Sequence, residues 1–109
     1  MDIIAYIVTF VKYPSHVGER VGKQYLKAIQ QFPPNKTPGK VIIQAAVRST
    51  TEGIDVFSIT QVKEGELEEA WRFIGNMMAM FLEIEGLEYS MGIWAEVQDA
   101  LELVGLKLP

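Results

Sequence analysis

The chain has 109 residues and a mass of 12.3 kDa, is 49% hydrophobic and 22% charged, and so reads as one folded domain over residues 1–109, which excludes an intrinsically disordered chain or a fibrous repeat. It has no cysteine and a single histidine, His16, so disulfides, thiolate metal sites and cysteine nucleophiles are ruled out, and neither a metal nor a cofactor is expected. The net charge of -4 divides into +4 over residues 1–63 and -8 over residues 64–109, without a basic stripe carrying interleaved aromatics, so nucleic acid is a poor partner.

The N-terminus lacks the basic start and long apolar segment of an export signal, and no apolar run approaches the roughly 20 residues of a membrane span. A cytoplasmic protein without a membrane partner is the expectation. Residues 3–13, rich in β-branched and aromatic side chains on both alternating faces, predict a central strand covered on both sides. Pro14 ends it, and Ser15 is placed to cap a helix whose apolar stripe runs through Val17, Val21, Tyr25, Ala28, Ile29 and Phe32. Pro33 and Pro34 end that helix.

Residues 41–49 and 54–62 are β-rich and flank the turn Thr50-Thr51-Glu52-Gly53, which predicts a hairpin. Setting Ser49 opposite Ile54 places Arg48 opposite Asp55, Ala46 opposite Phe57, Gln44 opposite Ile59 and Ile42 opposite Gln61 on one face. The other face carries Ile43, Ala45, Val47, Ile54, Val56, Ser58 and Thr60, a surface suited to helix packing. A second helix is expected from Gly65 to a cap at Gly86, with acidic residues in its first turn and a broad apolar face from Leu67 to Ile84. Alternation over Leu87–Glu96 predicts a fourth strand, and Val97, Ala100, Leu101 and Val104 form the apolar side of a last short helix over residues 96–104.

This element order predicts an α+β fold, a ferredoxin-like βαββαβ sandwich with a four-stranded antiparallel sheet in the order 4-1-3-2 and both long helices on one face. The opposite face then exposes Ile42, Phe57, Ile59 and Trp94, a patch that soluble monomers rarely tolerate and that a second copy would cover most economically. The unequal charge of the two halves reads either as solvated charge on separate helices or as a dipolar surface that orients two subunits.

The length, the order of elements, the glycine-bounded hairpin and the helix after the fourth strand resemble the dimeric α/β-barrel superfamily. The likeness is greatest to its small members without an assigned function, and only distant to its cofactor-independent monooxygenases and heme-degrading members. The resemblance implies a homodimer whose two sheets enclose a cavity; a small, largely apolar or aromatic ligand in that cavity, and assembly beyond the dimer, are further expectations. It implies no particular reaction.

Within such a cavity Arg48 would anchor a carboxylate or phenolate while Asp55 holds its guanidinium, with Gln44, Gln61, Ser90 and Glu88 as orienting polar groups and Tyr6, Phe57 and Trp94 as an aromatic lining. The plainer reading of Arg48 and Asp55 is an exposed cross-strand pair. His16 is the single candidate general base, more simply an exposed residue of a first helical turn. Met77, Met78, Met80 and Phe81 read as core, and residues 18–23 lack the strand-to-helix setting of a phosphate loop. Three functions stay open: a ligand-binding dimer with cofactor-independent chemistry, a structural or accessory protein whose sheet face serves only assembly, and a ligand-sensing regulatory module.

Overall fold

A computed structural model describes residues 4–109, so Ile3 of the expected first strand lies outside the described residues. Strand β1 (Ala5–Tyr13) alternates Ile7, Thr9, Val11 and Tyr13 toward the helices with Tyr6, Val8, Phe10 and Lys12 on the open face. It is followed by a 3-10 turn (Ser15–Val17) and helix α1 (Gly18–Gln31), then strands β2 (Gly39–Thr50) and β3 (Gly53–Val62), helix α2 (Leu67–Ala79), strand β4 (Glu88–Ala95) and helix α3 (Val97–Leu103). The sheet order is β2-β3-β1-β4, every neighbouring pair antiparallel. This is the expected ferredoxin-like arrangement, and it puts the most apolar strand in the interior of the sheet.

Ile7, Tyr13, Val21, Ala28, Ala70, Ile74, Met78, Phe81 and Ile84 form the core between the sheet and the helices. Phe32 at the end of α1 meets Phe73 of α2 edge to face, ring centroids 5.5 Å apart, and fixes the two helices side by side. The open face carries no part of this core.

Four expectations are corrected. Ser15 lies inside the 3-10 turn and caps nothing with its side chain, because the amide of Val17 closes on the Pro14 carbonyl and the α-helix begins only at Gly18. Helix α2 stops at Ala79, well short of Gly86. Residues 80–86 tighten into successive turns in which the amides of Phe81, Leu82 and Ile84 each reach back three residues. That tightening lets Phe81 and Ile84, 5% and 2% exposed, both seat in the core.

In the hairpin, Ser49, Arg48 and Ala46 stand opposite Ile54, Asp55 and Phe57 as expected, but two register shifts follow between Ala46 and Val41. Ile43 faces Ile59 in place of Gln44, and Lys40 faces Gln61 in place of Ile42. Extra residues on one strand of an antiparallel pair bend it and re-aim its side chains. Finally, α3 turns Asp99, 7% exposed, inward and leaves Val97 and Val104 outside at 58% and 71%. None of the residues of this core comes from α3.

Candidate functional site

The open face holds a groove of about 480 Å³ at the hairpin end of the sheet. Its floor is Phe10 of β1 and Phe57 of β3, direct cross-strand partners with ring centroids 6.4 Å apart and planes tilted by 42°. Its rim is charged. Arg48 donates from Nε to Asp55 Oδ2 at 3.0 Å, and Lys12, set between Asp55 and Glu88 in the sheet, reaches Glu52 in the turn at 3.6 Å.

Local chain geometry builds this corner. Thr50 Oγ1 accepts from the amide of Glu52 and donates to the Gly53 carbonyl, closing the turn. Gly53 has φ of 129°, and a Cβ there would lie 2.6 Å from the Tyr13 carbonyl oxygen, so the turn reaches β1 only through glycine. Arg48 and Asp55 are thereby held opposite each other at the mouth of the groove.

The expected site residues divide into three groups. Arg48, Asp55, Phe57, Ser90 and Glu88 come together around the groove. Trp94 and Gln61 sit at the far end of the sheet, both beside Tyr6, which lies six residues along β1 from Lys12 or about 20 Å. There Trp94 leans back over Gly92, where an added Cβ would meet the indole nitrogen at 3.1 Å, and Tyr6 donates a short hydrogen bond to the Glu96 carboxylate. That bond first, then desolvation and the negative charge of Glu96, raises the Tyr6 pKa.

Gln44 is on the opposite side of the sheet altogether. The register shifts turn it toward α1, where its amide donates to the Tyr25 hydroxyl at 2.8 Å. His16 is exposed in the 3-10 turn and does not line the groove. Phe10 and Lys12 are groove residues that the sequence reading passed over. Their signal was present, since Lys12 is the one charge in β1 and marks the even-numbered positions as the face left open to solvent.

On the helix side, a second cavity of about 220 Å³ lies between α1, α2 and the sheet, over Thr9 and Ser58. Among the described residues no group of three or more histidine or acidic side chains is arranged to hold a metal ion, and no helix is long and apolar enough to cross a membrane.

No family model matches the chain, and neither does any curated protein. Two solved structures share its fold. A de novo designed protein superposes with a TM-score of 0.56 at 10% identity, over 87% of this chain and 99% of that one. An uncharacterised protein of Thermotoga maritima superposes with a TM-score of 0.51 at 14% identity, over 84% of this chain and 98% of that one. At these identities the likeness establishes the fold alone.

Proposed function

We propose that the protein is a cytoplasmic homodimer that joins its open sheet faces and holds a small, flat, largely apolar molecule with one acidic group in the groove at the hairpin end. The observation that carries this reading is the open face itself. Phe10 is 47% exposed and Trp94 54% exposed on the face of the sheet opposite the core. The total accessible surface supports it: 7466 Å², against roughly 6,100 Å² for a compact monomer of this mass.

In this reading the two phenylalanine rings stack on the body of the ligand. Arg48 Nε is committed to Asp55, which orients the guanidinium and leaves its terminal nitrogens to meet a carboxylate or phenolate. Ser90 adds a hydroxyl at the groove wall. Binding is the proposed activity.

Sedimentation of the wild-type chain beside Phe57→Asp tests the assembly: a dimer that the variant reduces to monomer is expected, and a wild type that stays monomeric at high concentration overturns it. Calorimetric titration with 2-naphthoate tests the site. Saturable binding to the wild type, weakened at least about tenfold in Arg48→Ala, is expected. Dimerisation with no naphthoate binding would leave a face made for assembly alone.

A further inference from the structure

The helix-side cavity carries a separate reading. Its floor is the middle of β1 and β3, where Thr9 and Ser58 stand side by side as cross-strand partners. Thr9 is 1% exposed, and its hydroxyl has no hydrogen-bond partner. A buried hydroxyl without a partner is costly, and native structures nearly always satisfy it.

The walls around it are apolar: Val21 from α1, and Met77, Met78 and Phe81 from α2 and the turn after it. The roof is open for a definite reason. Gly18 and Gly22, one helical turn apart on α1, both line the cavity, and a Cβ added at either meets nothing within 4 Å. The register shifts in β2 complete the rim, since they carry Gln44 to this side, where it is tied to Tyr25. The volume of about 220 Å³ exceeds the roughly 150 Å³ of an engineered apolar cavity that holds benzene. Two adaptable thioethers in the wall allow it to close around an irregular guest.

We propose that this cavity is a second binding site, for a small neutral aromatic molecule carrying a single hydroxyl, with the ring among Val21, Met77, Met78 and Phe81 and the hydroxyl on Thr9. The site lies on the helix side of the sheet and has only Val11, Val47 and Val56 in common with the lining of the sheet-face groove. It also differs in chemistry. The groove offers a cation to an acid, whereas this cavity offers one neutral hydroxyl in apolar surroundings.

The test is a nuclear magnetic resonance titration of the full chain with 4-ethylphenol and, separately, with ethylbenzene. Saturable shifts centred on Thr9, Val21 and Phe81 are expected, with 4-ethylphenol bound at least fivefold more tightly than ethylbenzene. Thr9→Val keeps the shape and removes the hydroxyl, so it is expected to abolish that preference while ethylbenzene still binds. Gly22→Leu, whose Cβ meets nothing within 4 Å and whose side chain would occupy the roof, is expected to abolish binding of both in a chain that remains folded.

Three results would overturn the proposal: no saturable shift with either probe, shifts centred on Phe10 and Phe57, or a preference unchanged in Thr9→Val. The first means that Thr9 is served by a trapped water, and the second assigns the phenol to the groove. Neither result bears on naphthoate binding at Arg48.

Discussion

Arg48 and Asp55 illustrate how little a short contact says by itself about stability. Their side chains are 76% and 30% exposed, and exposed pairs of this kind contribute no more than about 1 kcal/mol. Arg48→Ala is therefore expected to lower the thermal midpoint by only a few degrees while it weakens naphthoate binding at least about tenfold. Equal loss of folding and binding in a thermal titration would mark the pair as structural.

Tyr6 carries a pH dependence of determined sign. Its pKa is raised in the folded chain, chiefly by the bond to Glu96, so the contribution to stability is complete below the unfolded value of about 10 and disappears as pH rises through the folded value. Denaturant melts at alkaline pH are expected to show a loss of stability that Tyr6→Phe reduces. Part of the loss should persist in that variant, because burial also raises the Tyr13 pKa. An identical alkaline profile in wild type and Tyr6→Phe would mean that the Glu96 bond does not form in solution.

At the scale of elements, two glycines act in opposite directions. Gly53 lets the hairpin turn approach the end of β1, and an alanine there takes on both the positive φ and a backbone clash. Gly53→Ala is expected to destabilise the chain by about 1–3 kcal/mol in urea melts and to disturb Arg48 and Asp55 with it. Gly22, inside α1 with open space at its Cβ position, should behave in reverse: Gly22→Ala is expected to stabilise by about 0.5–1 kcal/mol.

The hairpin also shows where periodicity is a sufficient guide and where it fails. Near the turn, the loop length sets the register, and Arg48 opposite Asp55 followed from counting outward from Gly53. Beyond Ala46 the count fails, because the extra residues in β2 follow no sequence rule and are accommodated by the neighbouring helix and strand. Helix α2 fails similarly: Met80 to Ile84 keep a helical apolar spacing, yet successive turns bury the same residues at a corner.

The whole molecule is thin and long, 48 × 32 × 18 Å, with a radius of gyration of 15.7 Å against about 13 Å for a compact domain of this length. A layer of helices on one layer of sheet accounts for the thinness, and the proposed partner copy would supply the missing third and fourth layers. If folding and association are linked in this way, the melting temperature should rise with protein concentration, and that dependence should vanish in Phe57→Asp. A concentration-independent midpoint in the wild type would separate the fold from any assembly.

From the sequence alone came the number and order of elements, the antiparallel sheet and its strand order, and the Arg48–Asp55 corner, because hydrophobic period, turn residues and crossover handedness are local or near-local rules. A strand apolar on both sides carries only Lys12 to mark its open face, and the tertiary structure decided which large side chains gather beside it. It also parted Trp94 and Gln61 from the groove, turned Gln44 to the helices and opened the space over Thr9. Each of these depends on how separate elements share one packed volume, a condition that no single segment expresses.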